Sequence, residues 1–219
     1  CHLAAMSDDP EAGVRQLVEV WRRMSFSTVY RFGVGDALGF SRALFGFLSG
    51  RPVGVGDDKD RVHGLLDTSP LEQLVVDEIP WRRLRQNRRS GRYSAVCIST
   101  TEIATGRTVT FVDHRERAVP TWTNDTMHVA VPARIAPEHA LASAAIPFLF
   151  PAVRIGETYY CDGSLRQQTP LAPALRLGSN RVLVIGLRHS RTPALDEPLA
   201  VERIERMHSA GFLFGKVLN

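Results

Sequence analysis

Apolar positions along the chain recur first with a helical period, then alternate, then return to the helical period, and this succession predicts an α/β fold. Val14, Leu17, Val18, Trp21 and Met24 lie three and four apart, which predicts a helix with one buried face. Asp9, Pro10 and Glu11 open it as an N-cap, a first-turn proline and an acid favoured by the helix dipole. A second apolar stretch, rich in Gly and Phe, runs from Asp36 to Leu48, and Ser49-Gly50-Arg51-Pro52 closes it. Residues 50–64 show no periodicity and read as a loop. Ser69-Pro70-Leu71-Glu72 then has the form of a capping box, and its helix continues through Leu74, Val75 and Val76 until Ile79-Pro80-Trp81 breaks the pattern.

Alternation begins at Tyr93, with Val96 and Ile98 among Ser and Thr up to Thr101, and resumes over Val109–Val112 after the turn signal Ala104-Thr105-Gly106. The pair predicts a hairpin or adjacent strands. Residues 113–134 are less readable. Pro137-Glu138 opens a helix of small residues that ends before Pro147, and Pro170–Leu177 predicts another with Gly178 as its C-cap. Arg181-Val182-Leu183-Val184-Ile185 is a continuous apolar run of the kind found in strands buried on both faces. Val201, Ile204, Met207, Phe212 and Leu213 predict a final amphipathic helix. Together these elements predict one α/β domain over residues 1–219, with 36–92 as a cap or lid.

Composition narrows the function classes. No apolar run approaches the roughly 20 residues of a membrane-spanning helix. Three widely spaced cysteines, Cys1, Cys97 and Cys161, argue against a disulfide framework or zinc site and fit a reducing compartment such as the cytoplasm. The net charge is +4, and all basic residues except Lys59 and Lys216 are arginine. This balance weakly favours anionic partners such as phospholipid surfaces. Seven scattered histidines form no H-x-x-x-H or H-E-x-x-H pattern, so no metal is expected.

Candidate chemistry concentrates between residues 141 and 187. Ala142-Ser143-Ala144-Ala145-Ile146-Pro147 runs on to Pro151; Tyr159-Tyr160-Cys161-Asp162-Gly163-Ser164 follows, then Gln168-Thr169-Pro170-Leu171 and the run 182–185. This stretch resembles the patatin-like phospholipase family, whose later half carries an A-S-x-A-x-P-x-x-F-P segment, a Y-x-D-G-G turn, an N-x-P-L helix start and a G-A-x-x-v-l-v-i strand. The Trp21 helix and Leu66-Asp67-Thr68-Ser69-Pro70-Leu71 are similar to bacterial members. Ser164 stands where the family has Gly, and Gln168 where Asn is common.

The resemblance implies a three-layer sandwich with a mostly parallel sheet flanked by helices. It implies hydrolysis of a phospholipid, lysophospholipid or neutral acyl ester through an acyl-serine, without metal or organic cofactor. Asp162 would act on the serine hydroxyl directly, with no histidine between them, and Gly163 and Ser164 would shape the turn that aims it. The family's serine lies in a G-x-S-x-G elbow. No serine here has glycines at both required positions, and the glycine-rich oxyanion loop is also absent. The serine and the N-terminal strands of the fold are therefore expected to lie outside these residues, and the C-terminus to be clipped.

Phe40, Phe45, Phe47 and Leu48 would serve either as an acyl-chain pocket or as ordinary core. Arg82, Arg83, Arg85, Arg88, Arg89 and Arg92 would serve either as a phosphate or anionic-membrane contact or, more simply, as a solvated helix face. Expected partners are a lipid or acyl-ester substrate and, peripherally, a membrane. Nucleic acid is not expected, because no aromatic ladder accompanies the arginines. A lipid-binding or interaction protein that has lost catalysis is the alternative, and an in-frame G-x-S-x-G upstream of Cys1 would decide against it.

Overall fold

Two strands rich in β-branched residues lie side by side within the sheet. β1 (Ala95–Glu102) and β2 (Thr108–His114) pair antiparallel with Ile98 opposite Phe111, as the alternation predicts. The computed structural model describes residues 1–31, 66–116, 126–165 and 171–185. Within them β3 (His128–Pro132) lies parallel to β2, and β5 (Thr158–Asp162) lies antiparallel to β1. β4 (Val153–Ile155) forms a hairpin with β5 across Gly156-Glu157, where Gly156 has a φ of 63°. The order is β3-β2-β1-β5-β4. The class is α/β with flanking helices, as expected, but the sheet is mixed rather than mostly parallel. The links between β1 and β2 and between β4 and β5 are too short for a crossover, so those strands can pair only antiparallel.

Alternate residues of these strands sort onto two faces. Ile98, Val109, Phe111 and Tyr160 point to one side, where Ala5, Trp81, Leu84 and Ala142 complete the core. The helices bringing them are α1 (His2–Ala5), α5 (Trp81–Arg89) and α6 (Pro137–Ala144). α3 (Phe26–Val29) packs on α4 (Ser69–Glu78), which in turn packs on α6. The opposite face carries Ala95, Cys97, Ser99 and His114, with α7 (Leu171–Arg176) above them. Gly178 ends α7 in the left-handed region, at φ 87°. Of the stretch predicted as a cap, residues 66–92 hold α4 and α5, and Trp81 and Leu84 enter the core. Residues 32–65 lie outside the described residues, and so do Phe40, Phe45, Phe47, Leu48, Gln168 and the C-terminal helix over 201–213.

Three local expectations are corrected. Asp9 does cap α2 (Pro10–Arg23), its Oδ1 accepting the Ala12 N–H at 3.1 Å. The face predicted to be buried is nevertheless open: Val14 and Val18 are exposed, and Trp21 is 64% exposed. α2 docks instead at Gly13, where an added Cβ would lie 2.5 Å from Met6 Cβ. Periodicity shows that a stripe is apolar, whereas docking depends on where backbone can approach backbone. In α4 the residue expected to cap, Ser69, is the first helical residue, and Asp67 Oδ1 accepts its N–H at 3.0 Å. A carboxylate two residues upstream is the stronger acceptor. The run 182–185, expected as a doubly buried strand, forms no strand, and Leu183 and Ile185 are 87% and 83% exposed. An apolar run that joins no strand ladder remains irregular. It belongs to a second compact unit, Arg181–Asn219, apart from Cys1–Asn180.

His139 in α6 is buried. Its Nδ1 accepts the Ala136 N–H at 3.2 Å, and its ring meets Phe111 edge-on at 4.7 Å. Burial pushes its pKa below the ordinary value, and the nearby Glu138 carboxylate opposes this only in part. With a depressed folded-state pKa, the neutral ring contributes its full stability above the unfolded value near 6.5. That contribution is lost as pH falls toward the folded pKa, because the unfolded chain takes up the proton more readily. Thermal unfolding from pH 7.5 to pH 5 should therefore show a falling midpoint. The fall should be smaller in His139→Gln, and an equal fall in both proteins would rule His139 out as its source.

Candidate active site

Asp162 is the last residue of β5 and is half-buried. Its N–H donates to Ala145 O at the end of α6 (2.9 Å), and its C=O accepts from Thr101 Oγ1 on β1 (3.0 Å). Both sides of its backbone are thus tied to separate elements. The side chain is oriented locally: Oδ1 accepts the Ser164 N–H at 2.7 Å, an Asx turn leading into the single 3-10 turn Gly163–Leu165. Oδ2 has no protein partner among the described residues.

Gly163 was expected to supply backbone freedom at a sharp bend. Its φ is not in the left-handed region, and the need for glycine has another source. A Cβ at this position would meet Ser99 O at 2.4 Å and Ser99 C at 2.7 Å. Only a residue without a side chain lets the turn lie against the β1 backbone. The same Ser99 carbonyl accepts from Ser143 Oγ of α6 at 2.9 Å. Here β5 has already turned away, so this hydroxyl satisfies a carbonyl at the point where the β1–β5 ladder stops. Ser164, where the resemblance expects Gly, is exposed and its φ is not positive, so the turn tolerates it.

Ser143 and Thr101 are the positioning groups that sequence reasoning did not single out. Ser143 lay inside the quoted motif, but nothing in its spacing shows that it reaches β1.

Neighbouring reactive groups are quiet. Cys161 precedes Asp162, and burial together with the Asp162 charge pushes its thiol up to about 11. Burial likewise pushes Cys97 up to about 11. Neither supplies thiolate at neutral pH. His139 sits in the core, and His2 bonds Glu78 O through Nδ1 at 3.1 Å. No group of three or more metal-ligating side chains occurs among the described residues. A pocket of about 490 Å³ opens on the second sheet face, lined by Cys97, Ser99, His114, the α7 residues Pro173 and Ala174, and Leu177 just beyond them. Asp162 is not part of its wall, although Ser99, against which Gly163 packs, is.

The sequence profile of the family Patatin-like phospholipase matches residues 1–175. The chain belongs to this family. The matched span takes in all five strands and the Asp162 turn and ends within α7, so the patatin-like segment is the scaffold just described. Patatin-like phospholipases act in general on lipids, as hydrolases. No curated protein and no solved structure matches the chain.

Proposed function

We propose that this patatin-like chain supplies the aspartate of a Ser–Asp pair that hydrolyses acyl esters of phospholipids, lysophospholipids or neutral lipids. One observation carries the proposal: Asp162 is fixed through its backbone on both sides, while Oδ2 is left without a protein partner among the described residues. A base that must meet a hydroxyl needs that combination of fixed placement and an open oxygen. The serine would come from outside these residues, since none of those present lies in a G-x-S-x-G.

In the proposed reaction Oδ2 takes the serine proton as Oγ bonds to the ester carbonyl carbon. The proton passes to the leaving alkoxide as the acyl C–O bond breaks, giving an alcohol and an acyl-serine. Water then attacks the acyl-serine, with Asp162 accepting its proton and returning it to serine as the fatty acid leaves. Incubation with a fluorophosphonate should leave every serine of the 219-residue chain unlabelled. A stoichiometric adduct on one of them, mapped by mass spectrometry, would place the nucleophile here and overturn the assignment.

A further inference from the structure

Six arginines lie between positions 82 and 92, and the fold divides them. Arg83 is held by Asp8, with Nε 3.0 Å from Oδ1, and Arg88 is buried against Asp113. Arg82, Arg85 and Arg89 are exposed and pair with no acid among the described residues. Their spacing of three and four places them on one stripe of α5. Arg92 is exposed one turn beyond. The pairing of β1 with β2 brings Arg115 to the same end: its N–H donates to Ser94 O at 2.9 Å, and a Cβ on Gly91 would touch its Nη1. Glu116, exposed and next to Arg115 in sequence, offsets at most a single charge.

This arrangement carries a cost that the protein does not offset internally. α5 has no acid in its first turn and no side-chain N-cap, so Arg82 faces the positive end of the helix dipole. Arg85 and Arg89, four apart, repel each other. An external array of anions would reverse both terms.

We propose that this stripe docks the protein on a bilayer surface bearing anionic phospholipid headgroups. The choice of a bilayer rests on the lipid-hydrolase reading. Phosphodiesters suit guanidinium forks geometrically. Nucleic acid fits less well, because the aromatic side chain of α5, Trp81, is buried and the Tyr93 hydroxyl is committed to Leu84 O at 2.8 Å.

Co-sedimentation of the full chain with vesicles tests the proposal without any turnover, so its failure would leave the assignment of Asp162 untouched. Vesicles of phosphatidylcholine with phosphatidylglycerol should bind the chain, and phosphatidylcholine alone should not. Arg82→Gln/Arg85→Gln/Arg89→Gln should weaken partitioning by about a hundredfold, at about fivefold per arginine. Arg15→Gln/Arg22→Gln on α2, where both arginines pair with helix neighbours, should leave it unchanged. Should the triple variant fail to fold by circular dichroism, the salt dependence of the unmodified chain decides, since docking of this kind weakens as salt rises. Equal binding to neutral vesicles, salt-insensitive binding, or an unchanged folded triple variant would overturn the proposal. So would preferential capture by nucleic acid in a mixture with anionic vesicles.

Discussion

Replacing Asp162 by asparagine, in a protein that carries both halves of the pair, should lower kcat/KM for ester hydrolysis by about two to four orders of magnitude. The fold should be unaffected. The bonds to Ala145 O and from Thr101 Oγ1 use the backbone of residue 162, which the substitution leaves in place. The amide oxygen of asparagine can still accept the Ser164 N–H. What disappears is the ability to take a proton. Activity on a soluble ester, measured beside the thermal midpoint, separates the two effects. A variant that keeps its midpoint and hydrolyses within about fivefold of the parent would lie outside the range of a lost general base and would remove Asp162 from the mechanism. Asp162→Ala should add a modest loss of stability, because it also opens the Asx turn.

The largest effect on stability should come from Asp113. Arg88 Nη1 lies 3.2 Å from Asp113 Oδ1, and the two side chains are only 10% and 5% exposed. Asp113 Oδ2 also accepts the Ile135 N–H at 3.4 Å, while Arg88 Nε has no partner among the described residues. Asp113→Leu leaves a buried guanidinium uncompensated and should cost about 3–5 kcal/mol in denaturant unfolding. Arg88→Met combined with Asp113→Leu should recover most of that loss, because two apolar side chains remove both charges from the interior together. If the single variant cost less than about 1 kcal/mol, the pair would be behaving like one on the surface, and α5 would not be pinned to β2 by charge.

Elements set by near neighbours in sequence were legible, and those set by distant ones were not. The β1–β2 hairpin and the starts of α2 and α6 were legible because each depends on residues a few positions apart, such as Asp9 with Ala12. β3 escaped the sequence because five residues without a turn signal are weak evidence, and its partner β2 is parallel. The pattern of α2 was read correctly as amphipathic but wrongly as buried. The arginine run shows the same limit: one stretch of sequence holds a buried ion pair, a surface pair and an exposed stripe, sorted only by the orientation of α5.

By itself the sequence determined the α/β class and the family resemblance, and it singled out the aspartate on which the proposed chemistry rests, because these depend on local patterns and on a run of motif residues in order. Only the tertiary structure decided why position 163 must be glycine, that Ser143 completes the carbonyl of Ser99, and that the sheet is mixed. The first two depend on groups that meet across tens of residues of chain, and the third on which strands pair, and no spacing along a sequence encodes such neighbours.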